Sequence, residues 1–409
     1  MKGFLSTNAS KTQMDTKEKN ENTNFFIIHE LETVPIAVLE NNWEKMEEEN
    51  AGKFLDAAKQ VLTWEEEIQF KLSMSSIRNV MDVDFVDTSI YGPFTGFGIS
   101  IAVIDGGIND EHPDLEKKLW DCRKFLEDSE LDLGHGTAVA GIICGNGSSS
   151  DDEYIGLAPD VDIVDCIAFN KDGVGKLGDI LMAIDWAVQN RVKILCMAFN
   201  SMPGSKHSEI FENLLKHVNE NYGVIACAGT GNFGPASSTI GMPGIFESVL
   251  TTGALTKLFK VQMKSGRGTV SSGKPEFCLP GENIISLNVF NSYFKERHLD
   301  KNEFYAVYSG SSVSVAILSG IIAKILQARP SIPYNEMKKV LLDSCNEIEG
   351  SAPESSGHGI LIPRVIFTNL KRMISFRKPY SQVMKDSLFI TVILFYLLVV
   401  AAIVFTALF

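Results

Sequence analysis

Three residue types, in the order Asp, His, Ser, could together make a nucleophile from a group that is inert alone. They are Asp105 in Ile101 to Gly107 (IAVIDGG), His135 in Gly134 to Gly141 (GHGTAVAG) and Ser312 in the Ser309 to Ser312 stretch (SGSS). A serine hydroxyl attacks a carbonyl at neutral pH only if an imidazole takes its proton. A carboxylate must then fix the imidazole's tautomer and stabilise the imidazolium. In that scheme Ser312 is the nucleophile, His135 the general base and then acid, and Asp105 the group that orients His135.

Each segment alone also fits a bland reading: a strand exit, a glycine turn, a small-residue loop. Their placement on elements joins them. Asp105 ends an apolar, β-branched run with the pattern of a buried strand, while His135 and Ser312 each open an apolar stretch suited to a helix. All three therefore fall at loop-facing ends of elements, where open α/β sheets gather their sites.

These segments resemble the motifs of the subtilisin-like serine proteases. Asp105-Gly106-Gly107 is similar to the family's Asp-Ser/Thr-Gly, His135-Gly136-Thr137 to His-Gly-Thr, and Gly310-Ser311-Ser312-Val313-Ser314 to Gly-Thr-Ser-Met-Ala. Further likeness runs from about Ile99 to Ile366. It takes in Ile155 to Pro159, the expected helix Ile180 to Val192, Gly223 to Gly234 with Ser238 to Gly244, the expected buried helix Val313 to Gln327, and Gly357 to Leu361. The resemblance implies a three-layer α/β fold with a mostly parallel central sheet and a serine-type endopeptidase activity. It also implies an oxyanion hole, to which Asn232 would bring its side chain and Ser312 its backbone N–H. Cys227 to Asn232 is two residues longer than the family's Ala-Ala-Gly-Asn, so Thr230 is the alternative to Asn232.

Some residues depart from the family pattern. Gly106 lacks the hydroxyl that Ser or Thr would offer the Asp105 carboxylate. Met197-Ala198-Phe199-Asn200-Ser201 stands where the family has Met-Ser-Leu-Gly-Gly, whose glycines admit a substrate backbone and the side chain before the scissile bond. Asp172-Gly173-Val174-Gly175 keeps the family's glycines on the facing wall. The resemblance thus makes Gly173, Val174, Gly175, Ala198, Phe199 and Asn200 candidate substrate-binding residues, with a restricted substrate range. A catalytically silent peptide-binding protein and an acyl hydrolase on the same triad are the alternatives.

The whole chain has 409 residues, 45% hydrophobic, with a formal charge of −14, enough for one large core with flanking segments. The acidic balance and the lack of basic stripes argue against nucleic acid as a partner. Residues 1–24 are polar without an apolar run and read as disordered, with no secretory signal. Residues 25–90 read as a small α+β unit, with strands at Phe25 to His29 and Asp82 to Val86 and an acidic helix over Ala37 to Leu62. This unit resembles the family's inhibitory propeptide, with cleavage expected near Asp87 to Ile90; a permanently attached accessory domain is the alternative.

The catalytic domain is expected over 91–370 and a basic linker over 371–386. Ser387 to Phe409 is apolar and long enough to cross a bilayer as a helix. Arg364, Lys371, Arg372, Arg377, Lys378 and Lys385 precede it, so the positive-inside rule places the protease domain in the cytosol as a tail-anchored protein. An incomplete N-terminus would place it in the secretory lumen instead. Seven cysteines without Cys-x-x-Cys spacing, and histidines without clustering, give no zinc signal and fit a reducing compartment. Calcium occurs in the family, but no ligand loop here stands out, so no cofactor or metal residue is assigned.

Overall fold

The computed structural model describes residues 2–6, 25–30, 36–41 and 63–66, then 94–375 apart from 127–128, 291, 293–296 and 299–301. The chain divides into two compact units, Met1–Ser73 and Met74–Phe409.

In the first unit, strands β1 (Lys2–Ser6), β2 (Phe25–Glu30), β3 (Ile36–Asn41) and β4 (Thr63–Glu66) form an antiparallel sheet in the order β2-β3-β1-β4. The strand expected at Phe25 to His29 is present. Two expectations are corrected. The supposedly disordered start carries β1, which pairs with β3 through Phe4 and Val38. The first residues of the supposed helix at Ala37 belong to β3: the short run Ile36-Ala37-Val38-Leu39 suits helix or strand, and pairing with β1 on one side and β2 on the other makes it a strand. The rest of that helix, the strand at Asp82 to Val86 and the cleavage region lie outside the described residues.

The second unit is built on a nine-stranded sheet. Its strands are β5 (Ser100–Asp105), β6 (Leu119–Lys124), β7 (Asp162–Ile167), β8 (Ile194–Met197), β9 (Ile225–Gly229), β10 (Val249–Leu255), β11 (Phe277–Pro280), β15 (Cys345–Asn346) and β16 (Ile360–Leu361). The order is β15-β16-β11-β10-β9-β8-β5-β7-β6, and every pairing is parallel except β15 with β16. A separate antiparallel sheet joins β12 (Ile284–Leu287), β13 (Arg297–His298) and β14 (Tyr305–Tyr308).

The central strands read as continuous apolar runs because helices cover both faces. On one face lie α1 (Gly134–Cys144) and α4 (Ser311–Ala328), whose Val139, Ile143, Ile317 and Ile321 pack with Val103, Ile163 and Cys196. On the other lie α2 (Leu177–Gln189) and α3 (Glu209–Tyr222), whose Ile184, Phe211 and Leu215 pack with Ala102, Ile104 and Val164. Helices α5 (Tyr334–Leu342), α6 (Pro353–Ser356) and α7 (Pro363–Ser375) follow.

Strand β5 is where the order reverses: β6 and then β7 are laid on one side of it, with β7 adjacent, and β8, β9, β10 and β11 follow outward on the other. Neighbouring connections leave toward opposite faces at such a point and open a crevice at the carboxyl ends of the strands. Asp105 is the last residue of β5.

Among the described residues, the one helix long and apolar enough to cross a membrane is α4, and it is buried in the core. The apolar segment 387–409 and the linker before it from 376 onward lie outside the described residues.

Candidate active site

The exit of β5 places the Asp105 carboxylate at the base of a cleft of about 330 Å³. Both its oxygens lie within hydrogen-bond reach of His135 Nδ1, at 2.9 and 2.8 Å, and Oδ1 also accepts the Gly106 N–H at 2.7 Å. His135 sits in the first turn of α1, which has no side-chain cap on Leu133; Asp132 Oδ1 instead accepts the Gly134 N–H at 2.8 Å. The helix lies close to the Asp105 loop because residue 136 is glycine: a Cβ there would stand 2.4 Å from the Gly107 carbonyl oxygen. Thr137 Oγ1 then accepts the Asn109 N–H at 2.8 Å. The His-Gly-Thr sequence thus clamps helix to loop.

Burial opposes a charged imidazole, but the Asp105 charge and hydrogen bond, with Asp132 adding to them, outweigh it and hold His135 above its ordinary value. The carboxylate pair favours the imidazolium. Asp132 is a site residue that the sequence reading missed; it is buried, lines the cleft and lies three residues before His135. The available signal was its helix-start position.

Ser312 stands in the first turn of α4, where amide N–H groups have no intrahelical acceptor. Gly310 makes the turn into this helix at φ +138°, a backbone conformation unsuited to other residues. The Ser311 N–H donates to Asn232 Oδ1 at 3.0 Å. This bond fixes the Asn232 amide and leaves its Nδ2 as a donor beside Gly310 at the cleft. Thr230, the alternative, is fully buried with Oγ1 3.0 Å from Ser265 Oγ, and it does not line the cleft. The Ser312 hydroxyl donates to the Ala198 carbonyl at 3.0 Å.

Gly173, Ala198, Phe199 and Asn200 line the same cleft as Asp105, His135, Asn232 and Ser312, whereas Val174 and Gly175 do not. Gly175 has a backbone role, since a Cβ there would meet the Ala168 carbonyl oxygen at 2.7 Å. Asn200 donates through Nδ2 to the Gly229 carbonyl at 2.9 Å and lies 3.5 Å from that of Gly241. It therefore ties one wall of the cleft to the loop that carries Asn232. Phe169, also missed from the sequence, packs on Phe199 with ring centroids 4.8 Å apart and gives the cleft an apolar side.

The cysteines offer no rival nucleophile. All seven are free; Cys144, Cys166, Cys196, Cys227 and Cys278 are buried, and at the exposed Cys122 the burial of its thiol pushes it up to about 12. Among the described residues no cluster of three or more His, Cys, Asp or Glu side chains could hold a metal ion.

A parallel sheet covered on both faces, with an Asp–His pair at its switch point and a serine opening a buried helix in the same cleft, defines a hydrolase-type α/β site. The subtilase family profile, Peptidase_S8, matches residues 96–359, and the chain belongs to that family. It is 33% identical over 288 residues to the serine protease AprX of Bacillus subtilis, an alignment that spans 65% of this chain and 65% of AprX. It is 27% identical to an intracellular serine protease of Paenibacillus polymyxa, over 67% of this chain and 81% of that one. Among solved structures, Sphericase superposes with a TM-score of 0.58 at 26% identity, covering 72% of this chain and 99% of Sphericase.

Proposed function

We propose that this chain is a serine endopeptidase that hydrolyses peptide bonds through an acyl-enzyme on Ser312. The observation that carries the reading is the meeting, in one cleft, of the Asp105–His135 pair, Ser312 and Asn232.

In the reaction His135 accepts the Ser312 proton as Oγ bonds to the scissile carbonyl carbon, and Asp105 stabilises the imidazolium that forms. The oxyanion meets Asn232 Nδ2 and the Ser312 N–H. Collapse expels the amine, which takes the proton from His135. A water molecule, deprotonated by His135, then releases the acyl group. The substrate runs as an extended chain between the Gly173 and Ala198–Asn200 walls, and Asn200 restricts the side chain accepted next to the scissile bond.

The hydrogen bond from Ser312 to Ala198 bears on how attack begins. A peptide N–H taking the Ala198 carbonyl would displace the hydroxyl and free it for His135. A catalytically silent peptide-binding protein is the second reading, and the same bond favours it where that displacement does not occur.

Two flanking roles complete the proposal. Residues 25–90 act as an inhibitory propeptide-like domain, supported by their position ahead of the catalytic domain and by the likeness of the Phe70 to Asp87 stretch to the end of the family's propeptide. Residues 387–409 anchor the chain in a membrane with the protease domain on the cytosolic side, supported by apolar length and the basic residues before the span.

The test is labelling by a fluorophosphonate probe, with Ser312→Ala as control and with N-termini read by mass. Labelling of the parent alone and hydrolysis of a peptide library support the protease. Folded protein that stays unlabelled yet binds peptides supports the silent alternative.

A further inference from the structure

Asp165 is a carboxylate where the sheet would fold more cheaply with an apolar side chain. It lies on β7 directly opposite Val103 of β5, with Ile163 and Ile167 as its neighbours on the same face, and it is 1% exposed. Adjacent parallel strands point paired residues to the same side, so it shares a face with Asp105, two residues beyond Val103. Its Oδ2 accepts the Ile108 N–H at 3.0 Å and lies 3.5 Å from Cys122 Sγ. Its Oδ1 is buried and has no hydrogen-bond partner among the described residues. A buried polar atom left so is costly, and the cost falls beside the Asp–His pair.

The Ile108 bond explains what the position does. The chain leaves Asp105 through Gly106 and Gly107, two residues with little conformational preference, and Gly106 has no hydroxyl to brace the carboxylate. The next two amides are both tied down: Ile108 to Asp165 in the sheet, and Asn109 to Thr137 in the helix that carries His135. The loop that aims Asp105 is thus pinned between its two supports.

We infer that Asp165 is a positioning residue for the Asp105–His135 pair, holding the Ile108 turn through its carboxyl and making the pair's electrostatics depend on its own protonation. The inference rests on the protease reading for its catalytic consequence, but not for its effect on His135. The titratable groups around it are Asp105 from β5, Cys122 and Asp121 from β6, Cys166 from β7 and Asp110 from the loop, with His135 of α1 beyond Asp105. Burial pushes the Asp165 carboxyl up to about 7; the Ile108 amide and Cys122 oppose the rise, and the charges of Asp105 and Asp110 add to it. Below that pH it is a neutral brace. Above it, a second negative charge backs Asp105 and favours the imidazolium.

The experiment uses the full chain. His135 is titrated by imidazole NMR in Ser312→Ala protein with and without Asp165→Asn, and kcat and KM are measured for Asp165→Asn and Asp165→Leu in the active protein. Asparagine keeps an acceptor for Ile108 and removes the charge, so His135 should titrate lower by at least about half a unit, with kcat within about threefold of the parent. Leucine removes the acceptor, and kcat should fall about tenfold or more at unchanged KM.

An unmoved His135 titration in Asp165→Asn, or a Leu variant that loses only thermal stability, would reduce Asp165 to a packing residue and overturn the inference. If Asp165→Leu does not fold, the asparagine comparison decides. If the parent proves unable to hydrolyse peptides, the NMR arm decides alone, so failure of the protease reading is distinguishable from failure of this one.

Discussion

Under the proposed mechanism His135 would set the pH behaviour. Its imidazole is held above its ordinary value by Asp105 and Asp132 against the pull of burial, and general-base action needs the neutral form. Activity should therefore rise with pH, with kcat/KM half-maximal above the ordinary histidine value near 6.5; Asp132→Asn should move this limb to lower pH, as a pH–rate profile would reveal. Under the proposed function Asn200 would carry selectivity. Its side chain bonds across to Gly229 in the space that glycine leaves open in the family pattern. Asn200→Gly should raise kcat/KM roughly tenfold for peptides with a bulky residue before the cut, the worth of about one or two methylenes of pocket. A library profile unchanged by that substitution would remove Asn200 from the specificity determinants. Whether Asn232 or Thr230 faces the cleft was open in the sequence, because the two extra residues of Cys227 to Asn232 could sit directly after Gly229 or later in the loop.

The start of α4 does three things within one turn. It turns in through Gly310, presents Ser312 and receives Asn232 Oδ1 on the Ser311 N–H. Asn232→Ala should remove a side-chain donor and loosen the helix start. We expect kcat to drop by a hundredfold to a thousandfold with KM little changed, measured by steady-state kinetics on a peptide ester and a peptide. The same helix is the spine of the core: Ile317 is fully buried, and Ile317→Ala should cost about 2–5 kcal/mol in denaturant unfolding. Helices and parallel strands here were legible because apolar residues recur at spacings that only a two-sided core explains. The strand at Ile36–Asn41 was not, since a short apolar run before acidic residues suits helix or strand equally, and pairing with Lys2–Ser6 decided it.

Asp165 links the site to the stability of the whole domain. Its carboxyl lies near 7 in the folded protein against 3.8 for the free group, so the folded state retains a proton that the unfolded state has lost. Its contribution to stability must then fall as pH rises from about 4 to about 7, by an amount approaching about 4 kcal/mol at ~1.4 kcal/mol per unit. Asp165→Asn should flatten that slope, so the variant's stability relative to the parent increases between pH 4.5 and 7.5, as denaturant titrations on the Ser312→Ala background would record. At the scale of the full chain, the apolar stretch 387–409 should carry the protein into liposomes. A chain ending at residue 386 should stay in the aqueous fraction on flotation, and equal partitioning of both would exclude that stretch as the anchor.

By itself the sequence determined which residues could do chemistry and which elements would present them. Ordered motifs, apolar runs and glycines at close approaches are local properties, and the fold must satisfy them wherever the chain goes. Only the tertiary structure decided between Thr230 and Asn232, brought Asp132 and Phe169 to the cleft while leaving Val174 and Gly175 off it, and set Asp165 behind Asp105. Those outcomes depend on strand register and on the reversal of strand order at β5, which bring together residues far apart in the chain through pairings that no single segment encodes.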